Sequence, residues 1–281
     1  MNSSTNFTKP LVLALALAGI AAALASVASP WSLGWAAYVA GLGCVFADLG
    51  GRRRLAALGD LSLGNLGLGI LAALGLAVLA WPQLDGQMSL QFLYQGKWIG
   101  RQFANLVAHN VLDVVGGAIL IGGGLGLVAM LFRVGGLLQL WARAAAFLLV
   151  AQLTVVYALG SGVLKPLIAR VRPQDSIEQM QAGQFEPWFW FARGCTSNCS
   201  MPSGEATLAF GMFALALALS GGRLRPALVL GSLVGCLWGL VRVSAGKHYP
   251  SDVAVAAIVA MGGSWLLYRL LSWAGRRLAK R

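Results

Sequence analysis

The sequence predicts an all-α fold, a polytopic helical membrane protein of about eight transmembrane helices. Three observations carry this expectation. Hydrophobic residues make up 58% of the 281 and charged residues only 11%, with a mean hydropathy of +0.74, so there is far more apolar surface than one soluble core can bury. The apolar residues fall in runs of about 20, the length that crosses a hydrocarbon layer of about 30 Å as a helix. The cations flank those runs: Arg52-Arg53-Arg54, Arg133, Arg143, Arg223, Arg225, and the tail Arg276, Arg277, Lys280 and Arg281. A net charge of +12 distributed in this way is a topology signal; it implies a bilayer as partner and no nucleic acid.

Taken in order, residues 1–10 form a polar leader with one cation, Lys9, before an apolar run from Leu11 to Ala28. That run is either a first span or a cleavable signal peptide, since Ala25-Ser26-Val27-Ala28-Ser29 is rich in small residues. A second run, 31–49, returns to the arginine triplet, and a third, 61–81, leads out to Trp81-Pro82. Residues 82–110 mix aromatics with Lys97 and Arg101 and are expected to be an outer loop with an interfacial helical piece. The fourth run, 111–132, is glycine-rich at 121–126, which permits close helix approach; the fifth, 137–161, leads out again. Runs six to eight, 205–221, 226–243 and 252–273, are joined by the basic turn Gly222-Arg223-Leu224-Arg225-Pro226 and by a segment around His248. Charge bias puts both termini in the cytoplasm, and parity then puts Lys165, Arg172, Ser203 and His248 together on the opposite face. The expected division is two additional spans in 1–60 and a six-helix domain in 61–281.

The four cysteines are of two kinds. Cys44 and Cys236 lie inside apolar runs and are expected to be small buried hydrophobes. Cys195 and Cys199 share a polar loop, where a local disulfide is possible if that loop meets an oxidising compartment.

Between Lys165 and Asp252 the chain gathers groups that are scarce elsewhere: Lys165, Arg172-Pro173, Pro202-Ser203-Gly204-Glu205, Arg242, His248 and Asp252. A phosphate monoester carries close to two negative charges; Arg binds its oxygens through a planar fork, and Lys adds a point charge. Ser203 and Gly204 open an apolar helix, a position that favours an anion. His248 is the natural nucleophile towards phosphorus, and Asp252, four residues on, can hold the other ring nitrogen and fix the tautomer. Asp252 also suits the positive start of the following helix. Taken singly each residue has an ordinary reading as an interfacial cation or a helix cap; gathered on one face they are an anion site. Asp85, Asp175, Glu178 and Glu186 are scattered over the expected outer loops without the clustering of a two-metal site, so no cofactor or metal is called for.

These residues resemble the type 2 phosphatidic acid phosphatases, a superfamily shared with vanadium-dependent haloperoxidases. The family's motifs, Lys-x6-Arg-Pro, Pro-Ser-Gly-His and Ser-Arg-x5-His-x3-Asp, stand here as KPLIARVRP at 165–173, PSGE at 202–205 and VRVSAGKHYPSD at 241–252. The resemblance covers 61–273. It implies a phosphohistidine intermediate on His248 oriented by Asp252, and phosphate binding by Lys165, Arg172, Ser203, Gly204 and Arg242. It also implies a lipid or isoprenoid phosphate as substrate, at a site facing the periplasm from a bacterial inner membrane. Two positions depart from the pattern. Val241 replaces a Ser. Glu205 replaces the His that serves the family as general acid, and so is a protonated acid, an ionised partner orienting Arg242 or Lys165, or the mark of an impaired site. Glu at this position also resembles some bacterial lipid A phosphatase relatives. His109, with Asp113 one turn away, is a candidate auxiliary acid or simply a polar helix start. The aromatic run from Phe185 to Phe191 suits the headgroup level and an amphiphilic substrate. The alternative function is a non-catalytic receptor or transporter for lipid phosphate headgroups, although transporters place such groups at mid-membrane on broken helices.

Overall fold

The computed structural model describes residues 37–44, 63–94, 100–132, 135–185, 187 and 194–278, and among them every regular element is helical. In chain order these are α1 (37–44), α2 (Leu63–Ala80), α3 (Pro82–Tyr94), α4 (Gly100–Leu131) and α5 (Gly136–Ala151). α5 runs on through a wide π-helical stretch, Gln152–Leu164, into a last turn at Lys165–Ile168. A short α6 (Ile177–Gln181) precedes α7 (Gly204–Leu219), α8 (Leu224–Ser244) and α9 (Pro250–Leu278).

Four stretches are long and apolar enough to cross a membrane: Val114–Leu131 within α4, Gly136–Asp175 starting with α5, α8 and α9. Large apolar side chains on their outer faces, among them Val114, Leu125, Leu131, Leu137 and Trp273, are exposed, as a lipid-facing surface requires. The chain is an integral membrane protein. α2 and α3 make a fifth candidate span, bent by 106° where Pro82 pushes Trp81 out of helical geometry and starts a new helix at its own fixed φ.

Several expectations need correction. Residues 82–110 hold the expected helical piece, α3, but are largely helical and not a loop. α3 turns back against the protein, burying Leu84, Asp85, Met88 and Ser89, and residues from Gly100 onward already belong to α4. The sixth apolar run is α7, about 24 Å long at 1.5 Å per residue. It is shorter than a span and is enclosed by its neighbours, with Phe210, Phe213 and Leu217 buried. The first apolar run lies outside the described residues, and of the second only 37–44 is described. Among the described residues the spans therefore number four, or five with the bent pair, where the sequence suggested eight.

Small residues let these helices meet. A side chain at Gly126 would begin 2.6 Å from the Ala142 carbonyl, so α4 lies backbone to backbone on α5. At Gly235 it would overlap the Phe210 ring, which fills the gap between α7 and α8. The core there joins Ala206 and Phe210 of α7, Leu233 and Cys236 of α8, and Val253, Ala256 and Ala260 of α9. Gly222 approaches the Tyr268 ring at the far end of α9, so the basic turn between α7 and α8 and the arginines of the α9 terminus share one end of the bundle. The chain turns back at the opposite end between α5 and α7 and between α8 and α9, and the chemically distinctive residues collect there.

Candidate active site

Each group at that end is placed by a helix terminus. Lys165 opens the last turn before the chain leaves the bundle at Ala169, whose left-handed φ of 50° ends the helix. Its ammonium lies over Gly204, 4.0 Å from where a side chain there would begin. Arg172 follows in extended backbone and is gripped from one side by Asn198. Its Nε donates to the Asn198 carbonyl at 2.8 Å and its Nη2 to the Asn198 side-chain oxygen at 2.5 Å. Asn198 sits in the small loop closed by a disulfide between Cys195 and Cys199.

Ser203 caps α7, its hydroxyl accepting from Ala206 N–H, while its own N–H donates to the Asp252 carbonyl at 3.4 Å. That bond ties the second motif to the third. Glu205, in the first turn of α7, places Oε2 2.7 Å from Arg242 Nε at the end of α8. The contact is a charge pairing without the aim of a hydrogen bond. Lys165 feels the charges of Arg172, Asp252, Glu205 and Arg242, and Arg172 and Arg242 both feel Glu205, so the three cations share one small region.

His248 lies in the turn between α8 and α9 and is 2% exposed. Its Nδ1 is 3.5 Å from Asp252 Oδ2. Burial pulls the imidazole down to about 4; the adjacent Asp252 opposes this, while Arg242 and Arg172 add to it. At neutral pH the ring is therefore uncharged, with Nδ1 turned to the carboxylate. Asp252 Oδ2 also accepts from the Tyr249 N–H at 2.8 Å and from the Ser200 hydroxyl, so the residue is at once a helix-start carboxylate and a partner of His248. The neighbouring Tyr249 phenol is pushed up to about 12, chiefly by burial, and stays neutral.

Thus Lys165, Arg172, Ser203, Gly204, Glu205, Arg242, His248 and Asp252 meet at one end of the bundle. The side chains of His109 and Asp113 lie outside the described residues, as do Glu186 and residues 188–191. Of the aromatic run Phe185 is described, and it packs on Gly86 of α3, where it works as a helix contact. Sequence reasoning missed four residues. Asp85 is no scattered loop carboxylate: it is 1% exposed and takes Arg170 Nη2 at 2.8 Å. Arg170 in turn places Nη1 2.9 Å from Asp252 Oδ1. Ser200 bonds Asp252, and Asn198 holds Arg172. Arg170, a second arginine inside the nine-residue first motif, was a visible signal.

Residues 143–276 match the model of the PAP2 superfamily. The chain is 32% identical over 111 residues to a lipid A 4'-phosphatase of Francisella tularensis subsp. novicida (strain U112), an alignment covering 39% of this chain and 50% of that protein. The chain thus spans about half the length of the curated relative it matches, and no solved structure matches it. The lysine, arginine, serine-glycine, histidine and aspartate positions of all three motifs lie inside the segment that is similar to the PAP2 superfamily.

Proposed function

We propose that this protein is a membrane lipid phosphatase that removes a phosphate from an amphiphilic substrate through a phosphohistidine on His248. The observation that carries the reading is the His248 ring: buried, neutral, with Nδ1 beside Asp252, and near enough to Arg172 and Arg242 to feel their charge. The family match and the lipid A 4'-phosphatase relative support a lipid phosphate, and a phosphorylated lipid A headgroup is the substrate we favour over isoprenoid phosphates.

The steps balance as follows. His248 Nε2 donates its lone pair to phosphorus, and the ester P–O bond breaks with its electron pair going to the leaving oxygen, which takes a proton from water. The imidazolium so formed keeps its Nδ1–H on Asp252, while Lys165, Arg172 and Arg242 hold the three non-bridging oxygens and their developing charge. Water then attacks the phosphoimidazole, inorganic phosphate departs, and His248 returns to the neutral ring. Permanent cations supply the charge a metal would otherwise provide, so the reaction is metal-independent. Glu205 favours the partner reading, because its carboxylate lies 2.7 Å from the Arg242 guanidinium. Its task is to orient Arg242. Residues 61–281 form the phosphatase unit, with 1–60 as additional spans, and the site faces the periplasm from the inner membrane.

The test is phosphate release by the purified full chain in detergent with excess chelator, on a panel containing phosphatidic acid, an isoprenyl diphosphate and lipid A. Turnover that persists in chelator and is highest on lipid A supports the reading; no release from any lipid phosphate defeats it.

A further inference from the structure

Arg170, Asp85 and Asp252 form a buried charge group that the expected machinery leaves unused. The Arg170 guanidinium is divided, Nη1 on Asp252 Oδ1 and Nη2 on Asp85 Oδ2, and Nη1 also meets the Ser251 hydroxyl at 2.6 Å. Its face stacks on the Tyr249 ring, 3.8 Å from the centroid. Asp85 reaches across from α3 to accept the Ser251 N–H at 2.8 Å and the Ser251 hydroxyl. Two carboxylates share one guanidinium, so with both ionised the enclosed group carries one negative charge in excess.

Burying three charges is costly, and a simple tie between α3 and α9 would be made more cheaply by apolar side chains. Here both Nη atoms of Arg170 and all four carboxylate oxygens of Asp85 and Asp252 are directed instead. Asp252 has its Oδ1 taken by Arg170, which turns Oδ2 towards His248 Nδ1. Asp85 takes the other half of the guanidinium, so Arg170 fixes Asp252 without neutralising it. Asp85 lies outside the segment that matches the family, residues 143–276, so this part of the arrangement comes from the N-terminal side of the chain.

We propose that Arg170 and Asp85 are positioning residues for the phosphatase: Arg170 holds Asp252 in the orientation that meets His248, and Asp85 leaves on Asp252 the charge that stabilises the His248 ring as it becomes cationic. The inference rests on the reading of His248 as nucleophile. When Nε2 binds phosphorus, the ring gains a positive charge, its Nδ1–H stays on Asp252 Oδ2, and the excess negative charge of the buried group balances it. The other charged groups facing His248 are Arg242 at the end of α8 and Arg172 beyond the last turn after α5. Both are cations, so Asp252 with Asp85 behind it supplies the opposing sign.

The experiment compares wild type, Asp85→Asn, Arg170→Lys and His248→Ala as purified full-length protein on one lipid phosphate, with kcat, KM and pH profile measured and folding checked by thermal melt. Asp85→Asn keeps one oxygen to accept from the Ser251 N–H and removes the charge together with the oxygen that takes Arg170 Nη2 and the Ser251 hydroxyl. It is expected to lower kcat by roughly 10–100-fold, the usual effect of losing a partner that orients a reactive side chain, with KM unchanged. The acid limb of kcat/KM should move to lower pH, because losing a buried negative charge disfavours the imidazolium. A purely structural role would reduce the folded fraction and leave that limb in place. Arg170→Lys keeps the positive charge but cannot bridge two carboxylates, so it too should lose kcat. A folded Asp85→Asn with wild-type kcat and acid limb, or a folded Arg170→Lys with wild-type kcat, overturns the proposal while His248→Ala remains inactive. If wild type releases no phosphate, or His248→Ala releases as much, the phosphatase reading itself falls and this inference with it.

Discussion

Glu205 Oε2 lies 2.7 Å from Arg242 Nε, so the first turn of α7 is paired with the cation near the end of α8. The pairing decides between roles. If Glu205 orients Arg242, Glu205→Gln keeps an oxygen near the guanidinium and lowers kcat/KM by less than about 10-fold, whereas an essential general acid would cost roughly 10²–10⁴-fold. Glu205→Ala, which leaves Arg242 without that neighbour, should be worse than Gln. Steady-state kinetics of both variants on one substrate separate the two roles.

The His248 ring sets the pH behaviour. Burial depresses it from an ordinary value near 6.5 to about 4, so the folded protein holds the neutral ring throughout the interval between. An unfolded chain takes up the proton on falling below about 6.5, the folded one only near 4, and stability should therefore decline as pH falls across that window. NMR of labelled histidine in detergent should find one ring still neutral at pH 5. A midpoint at or above 6.5 for both histidines contradicts the assignment.

Asn198 grips Arg172 through two hydrogen bonds from the disulfide-closed loop. Because Arg172 is partly solvent-facing, losing the grip should cost only about 1 kcal/mol, or roughly a 5-fold rise in KM for Asn198→Ala. An unchanged KM would mean that Arg172 orients itself.

Packing makes a separate prediction. A methyl group at Gly235 would overlap the Phe210 ring, so Gly235→Ala should destabilise the α7–α8 contact by about 1–3 kcal/mol. Thermal melting in detergent reads the loss, and an unaltered Tm would show that the ring can move aside.

The membrane character and the gathering of cations near a histidine were legible in the sequence because they rest on local signals: runs of apolar residues, and cations at fixed spacing from a histidine. Helix ends then did the rest, since Lys165, Gly204, Arg242 and Pro250 all lie at termini on one end of the bundle. The bend at Trp81 was less legible. Pro82 hinted at it, but only the burial of Asp85 against Arg170, 85 residues away, makes a polar helix acceptable inside the protein. A charge pair at that separation leaves no local pattern, and an isolated aspartate beside an interfacial stretch reads as a loop residue until its partner is seen. The short α7 was read as a sixth span for a related reason: composition distinguishes apolar from polar, and a helix enclosed by other helices is as apolar as one in lipid.

The central claim is a covalent one, and trapping tests it most directly. Purified wild type mixed with a radiolabelled lipid phosphate and quenched in alkali within one turnover should carry label on the peptide containing His248, stable in base and lost in acid, and His248→Ala should carry none. Steady turnover with no label on that peptide, or equal labelling of His248→Ala, would contradict the phosphohistidine account.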